Sequence, residues 1–257
     1  MDAQRSISST DPAKRSLYQR LVEGGSADCL RAAYDVARSV ASDAGTEHGA
    51  PFDPSELGRQ VEALREWASA DGLLIRPEDL PLQNKGGREH NLMEPLVLSD
   101  RLIKVTIGPE FGFYPCCFPK AMYRDVCHWF STTQGMPLQY LRRMLLLNEL
   151  FPRCQTHLVG FVSRGSTLHA VTTQLIAQGR PASDKTGEMR NWLAAQGFIF
   201  ISAWTWFRPA DGVALFDVME KNVMRCLDDE MVPFDVIPIR CEGGFLDMMR
   251  AAAKRMA

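Results

Sequence analysis

The 257-residue chain is short of several things, and each shortage excludes a class of protein. It has no strong charge of either sign: 29 Lys and Arg stand against 31 Asp and Glu, for a formal net charge of -2. Non-specific nucleic-acid binding draws on counterion release at a basic face, so this balance argues against it. It has no apolar run near the ~18–20 residues that a spanning helix needs. The longest candidate, Gly197 to Phe207, is interrupted by Ser202 and Thr205. No membrane partner is expected. The first residues, MDAQRSISSTDPAKRS, are polar and contain no apolar signal segment. The 7 cysteines include the neighbours Cys116 and Cys117 but no C-x-x-C pair. This usage fits a reducing compartment, and a cytoplasmic location is expected. The 5 histidines offer no H-x-x-x-H pair, Ser163 and Ser166 lack a G-x-S-x-G setting, and no internal repeat or low-complexity linker is visible.

What is present falls into two textures. Residues 1 to about 75 read as helices. Asp11-Pro12 and Asp53-Pro54 are cap-and-proline starts, and Gly24-Gly25 followed by Ser26 stops one helix and begins the next. Leu30, Ala33, Val36, Ala37 and Val40 form one apolar stripe, and Leu57, Val61, Leu64 and Trp67 form another. No chemistry is apparent there. From about residue 82 short strand-like runs appear at Leu92–Leu98, Leu102–Ile107, Leu158–Val162, Leu168–Thr173, Phe198–Trp206, Val213–Phe216 and Val232–Ile239. Helical patterns fall between them at Pro137–Phe151 and at Ser183–Gln196, the latter capped by Ser183-Asp184. Strands, a helix, then more strands predict an α+β fold rather than a regular βαβ repeat. The expected division is a helical N-terminal extension over 1–78 and a second domain over 79–257.

Four local features of the second part carry chemical potential. Gly86 and Gly87, in Gly-Gly-Arg-Glu-His before an apolar run, could bring backbone amides close to phosphate oxygens; a plain hairpin would use the same glycines. Lys104, between Ile103 and Val105, points away from those neighbours on a strand, either into a cleft as a phosphate-binding charge or into solvent. Glu149 sits inside an apolar helical run; buried, it needs a partner, for which Lys104 is the candidate, and otherwise it emerges on the exposed side. The sharpest feature is Asp217 to Asn222, a D-x-x-x-x-N spacing, followed by Asp235 inside an apolar strand. Such a spacing arises by chance in many chains, but an aspartate in a strand core requires an explanation. Together the two aspartates and the asparagine resemble a catalytic loop and metal strand, with hard oxygen ligands suited to Mg²⁺.

Glycine loop, strand Lys, helix Glu, Asp…Asn and Asp occur in order. With GGREHNLM, RLIKVT, PLQYLRRMLLLNELF, LVGFV, VTTQLIAQGRPAS, WFRPADGVALFDVMEKNVM and VPFDVIPI, residues 82 to 245 resemble the small kinase-like domains of bacterial and phage polyvalent proteins. The resemblance implies a compact two-lobed kinase-like fold, with ATP and Mg²⁺ as cofactors. It implies Lys104 on the nucleotide phosphates with Glu149 as its helix partner, and Asp217 as catalytic base. Asn222 and Asp235 become metal ligands, and Gln174 to Gly179 becomes the hinge against adenine, with the second lobe beginning at Pro181.

The departures are specific. Leu215-Phe216 precedes Asp217 where His-Arg would stand, and Val236-Ile237 follows Asp235 where Phe-Gly would stand. The gap from Lys104 to Glu149 is long, with Cys116-Cys117 to Ser131 as an insertion, and the stretch after Asp235 is short for an activation segment and substrate-docking helices. A reduced phosphotransferase acting on an unknown protein or small-molecule acceptor is expected. The alternative is a pseudokinase-like binding or adaptor module in a phage or mobile-element setting; a nucleic-acid role through the helical part stands third. A zinc site from Cys116, Cys117, Cys127 and His128 is disfavoured because adjacent cysteines seldom ligate one tetrahedral metal. Trp192, Trp204, Trp206 and Phe207 are expected in the core, and Arg142-Arg143 on a solvated helix face.

Overall fold

The computed structural model describes residues 12–42, 53–96, 99–108, 111–119, 128–183, 186–202 and 204–256. Asp11, Leu98, Cys127 and Asp184, which figured in the expectations above, lie outside the described residues.

Three helices open the chain: α1 (Pro12–Glu23), α2 (Ala27–Ser39) and α3 (Pro54–Ala70). The starts of the last two follow the local chemistry. Ser26 Oγ accepts from Asp28 N at 3.1 Å, and Asp53 Oδ1 accepts from Ser55 N at 2.8 Å, each satisfying a first-turn amide. Gly25, between α1 and α2, runs against a strand so closely that a Cβ there would stand 1.9 Å from Leu158 O. Only glycine permits this approach.

A six-stranded sheet follows, in the order β1-β7-β8-β4-β3-β2. Its strands are β1 (Leu74–Ile75), β2 (Gln83–Gly86), β3 (His90–Met93), β4 (Arg101–Thr106), β7 (Thr156–Arg164) and β8 (Thr167–Leu175). Neighbours are antiparallel except β1 and β7, which run parallel. Between β4 and β7 the chain forms the hairpin β5 (Phe113–Pro119) and β6 (His128–Gln134), then helix α4 (Pro137–Leu150). This hairpin occupies the stretch that read as an insertion.

Both faces of the sheet are covered. Leu30, Ala33, Ala37, Val61, Leu64 and Ala68 of α2 and α3 share one core with Leu138, Tyr140, Leu141 and Met144 of α4 and with Leu158, Phe161, Leu168 and Ala170 of the sheet. Leu17 and Leu21 of α1 pack on the opposite face against Ile103, Val105, Val159, Val162 and Val171. The amphipathic N-terminal helices therefore bury their stripes in the same core as the strands. The side chain of Gln60 in α3, fully buried, also accepts from Leu138 N at 2.9 Å and so caps the first turn of α4.

A second group of strands is β10 (Ile199–Ser202), β11 (Thr205–Arg208), β12 (Val213–Phe216) and β15 (Ile237–Arg240), paired antiparallel in that order. The small sheet β14-β13-β9 stands beside it, with β9 (Gly179–Pro181), β13 (Val223–Cys226) and β14 (Met231–Pro233). Helix α5 (Glu188–Ala195) covers one face and α6 (Gly243–Met256) the other. The unbroken apolar run of β12 has a simple cause. Val213 and Leu215 enter the core with α5, while Ala214 and Phe216 enter the core with α6, so both faces are buried. Leu147 of α4 and Cys154 join the α5 core and couple the two groups of strands.

Mixed helix and strand content agrees with an α+β class. Several finer expectations differ. Phe198–Trp206 is two strands, because Trp204 adopts a left-handed φ of 61° and turns the chain; its side chain is 57% exposed rather than in the core. Val232–Ile239 is also two strands, so Asp235 lies in the connection between β14 and β15 and not within a strand. The helix expected from Ser183 begins at Glu188, after Gly187 at φ 72°. The pair β5–β6 and helix α6 are additions to the sequence reading.

Candidate active site

Lys104 sits in the middle of β4, opposite Leu92 on β3 and Thr172 on β8. Alternation puts its side chain on the α4 side of the sheet, away from Ile103 and Val105. That side chain is 9% exposed, and its Nζ stands 3.3 Å from Asp235 Oδ1. Asp235 remains 47% exposed. Around this pair His90, Tyr140, Arg143, Met144, Leu147, Thr156, Thr172, Phe234 and Val236 line a narrow cleft. Desolvation alone would push the Asp235 carboxyl up; the Lys104 ammonium and its hydrogen bond, with smaller contributions from His90 and Arg143, outweigh it and hold the pKa below the ordinary value.

Asp217 follows β12 directly and has φ 56°, the left-handed region that non-glycine residues enter only when held there. The holding groups are identifiable. Asn222, in the 3-10 turn Glu220–Asn222, is buried, and its Nδ2 donates to both Asp217 O and Asp217 Oδ2 at 2.8 Å. Val218 N donates to Trp204 O at 3.1 Å, so the Trp204 turn and the Asp217 turn brace each other. Burial pushes the Asp217 carboxyl above its ordinary pKa; the Asn222 amide opposes this, and the negative charge of Asp235 adds to it. Asn222 O accepts from Phe234 N at 3.1 Å, joining the Asp217 loop to the Asp235 connection. Lys104, Asp217, Asn222 and Asp235 therefore belong to one neighbourhood.

Glu149 does not join it. Its side chain is 64% exposed and accepts from Arg240 at 2.8 Å. Its helical phase turns it from the cleft, so the expected Lys104 partnership is replaced by the Lys104–Asp235 pair. The ion pair between α4 and the sheet has the opposite polarity: Arg143, 3% exposed, pairs with Glu89 of the β2–β3 turn and donates to Phe113 O at 2.7 Å. Arg143 is thus a core residue and not part of a solvated face. Next to Glu89, the buried His90 has its Nε2 3.0 Å from the Tyr140 hydroxyl. Burial lowers the His90 pKa to about 4 and keeps the ring neutral. Glu89, His90 and Arg143 escaped sequence reasoning; the one available signal was an Arg in an apolar helical run.

The glycine turn is tighter than a phosphate-facing loop needs to be. Gly86 ends β2, and Gly87 N donates to His90 O at 2.9 Å, so that amide is used within the turn. A Cβ on Gly87 would come 2.8 Å from His90 O. Gln174, expected at the hinge, has its side chain turned inward, and the connection from β8 to β9 is made by residues 176–178.

Asn222 and Asp235 present an amide and a carboxylate, and both suit a hard cation. Mg²⁺ commonly takes one or two protein oxygens and completes its shell with phosphates and water. Among the described residues no group of three or more His, Cys, Asp or Glu could hold a metal by itself.

Residues 130–237 match the family model described as Serine/Threonine/Tyrosine Kinase found in polyvalent proteins. Over that stretch the chain is similar to the kinase-like domains of polyvalent proteins. The matched stretch includes Asp217, Asn222 and Asp235; Lys104 and the glycine turn precede it. Comparison with curated proteins and with solved structures gives no match. Among the described residues no helix is long and apolar enough to cross a membrane.

Proposed function

We propose that the protein is an ATP- and Mg²⁺-dependent phosphotransferase with a reduced kinase-like architecture. The observation that carries this reading is the contact of Lys104 Nζ with Asp235 Oδ1 at 3.3 Å, beside the Asn222–Asp217 pair. A strand lysine, a catalytic-loop aspartate and two oxygen ligands are the groups that phosphoryl transfer requires. In this reading Lys104 leaves Asp235 for the nucleotide phosphates. Asn222 Nδ2 keeps Asp217 oriented while a carboxylate oxygen takes the proton of the acceptor hydroxyl. The hydroxyl oxygen bonds to the γ-phosphorus, and the bond from that phosphorus to the β–γ bridging oxygen breaks to release ADP. Asn222 Oδ1 and Asp235 would hold Mg²⁺, whose charge offsets that of the phosphates. Positioning and electrostatics supply most of the catalysis.

A melting-temperature series with ATP, with and without Mg²⁺, tests the reading. The wild type is expected to gain stability only with both, and Asp235→Ala to lose that gain; no shift in the wild type overturns it. Nucleotide binding without transfer is the second reading, favoured by Leu215-Phe216 before Asp217 and Val236-Ile237 after Asp235. Labelled ATP separates the two. Turnover abolished by Asp217→Asn supports transfer, and binding without turnover supports the second reading.

A further inference from the structure

Gln174 is the penultimate residue of β8, and its register partner on β4 is Leu102. It therefore shares a face of the sheet with Lys104 and Thr172, two positions away. Only 1% of it is exposed. Its Nε2 donates to Cys154 O and to Phe234 O, each at 2.9 Å. Both neighbours are carbonyls, so the nitrogen must face them and the orientation of the amide is determined. A second tie runs beside the first: the buried Cys154 thiol donates to Pro233 O at 2.9 Å. A third comes from the Asp217 loop, where Asn222 O accepts from Phe234 N. On the far side Val236 and Ile237 are buried in the cores of the second strand group.

We propose that Gln174 is a latch that fixes the connection carrying Asp235 against the large sheet, so that Asp235 is set for its cation before nucleotide arrives. The inference rests on the nucleotide- and Mg²⁺-binding reading above. The residue immediately before Asp235 is held by its own backbone, from both the sheet and the Asp217 loop. Val236 then anchors the other side of the connection in the core. Gln174 is a positioning residue: it acts through the Phe234 carbonyl and does not touch the cation.

Gln174→Leu keeps most of the volume and removes both donors. Two measurements on the full chain test it. In hydrogen exchange without ligand, amides of residues 232–237 should exchange at least tenfold faster than in wild type, with α4 unchanged. In titrations of a fluorescent ATP analogue, the Mg²⁺ concentration for half-maximal binding should rise about tenfold, while binding without Mg²⁺ stays the same. Cys154→Ala, which cuts only the neighbouring tie, should give a smaller change in the same direction and serves if Gln174→Leu does not fold. Unchanged exchange over 232–237 overturns the latch, and so does faster exchange with an unmoved Mg²⁺ midpoint. A wild type that binds no nucleotide overturns the functional reading instead, and the exchange result alone then decides whether the latch exists.

Discussion

Lys104 and Asp235 meet at 3.3 Å although one belongs to the large sheet and the other to the connection between β14 and β15. The pair joins the two groups of strands at the cleft. The lysine is nearly buried and the aspartate half exposed, so the lysine has more to lose from separation. Lys104→Met should let the Asp235 pKa rise toward the ordinary carboxylate value, because the largest opposing charge is gone. Carboxyl NMR titration of the two proteins reads this directly, and an unmoved Asp235 titration would contradict the pairing.

Two ion pairs on the same helix should respond very differently to mutation. Glu149 is exposed and its pair with Arg240 is screened, so Glu149→Gln should change stability by less than about 0.5 kcal/mol and leave nucleotide binding intact. Arg143 is buried against Glu89, and Arg143→Met should cost about 3–5 kcal/mol because it strands a carboxylate. Denaturant unfolding of the two variants provides the comparison. Equal effects would contradict the difference in burial between the two pairs.

The raised pKa of Asp217 predicts an acid limb in the pH–rate profile. A general base works deprotonated, so kcat/KM should climb with pH through the Asp217 pKa, at a position above the ~3.9 of an unperturbed aspartate. Asn222→Ala removes the amide that opposes the shift, and the limb should move further up with a loss in kcat. A limb that stays in place would show that Asp217 is not the titrating base.

His90 should make stability depend on pH. Its pKa of about 4 when folded lies below the ~6.5 of the unfolded chain, so the unfolded state takes up the proton first. The contribution is complete above about pH 6.5 and falls away as pH drops toward 4, a loss of roughly 3 kcal/mol for one such buried imidazole. Unfolding free energies measured from pH 4 to 7 in wild type and His90→Gln test this. The variant should lose that slope; an identical slope would assign it to other groups.

Much of the fold is legible locally because its causes are local. Ser26 and Asp53 cap their helices from adjacent residues, and the apolar stripe Leu30, Ala33 and Ala37 lies on one helical face wherever that helix packs. The unbroken run Val213–Phe216 marks a strand buried on both sides. Lys104 and Asp235 were visible for a similar reason, as charged residues set among apolar neighbours, and Asp217 and Asn222 by their spacing.

Sequence by itself determined which residues are chemically able: a lysine alternating with β-branched neighbours, an asparagine spaced for the next turn, and an aspartate between apolar segments. Tertiary structure decided who meets whom. Helical phase turns Glu149 to Arg240 and turns Arg143 to Glu89 across the sheet edge. Strand register puts Gln174 on the face of Lys104, and the break after Pro233 brings Phe234 O to its amide. Such pairings join residues far apart in the chain. Their energy depends on burial and on a geometry of a few tenths of an ångström, and neither exists until the cores have closed.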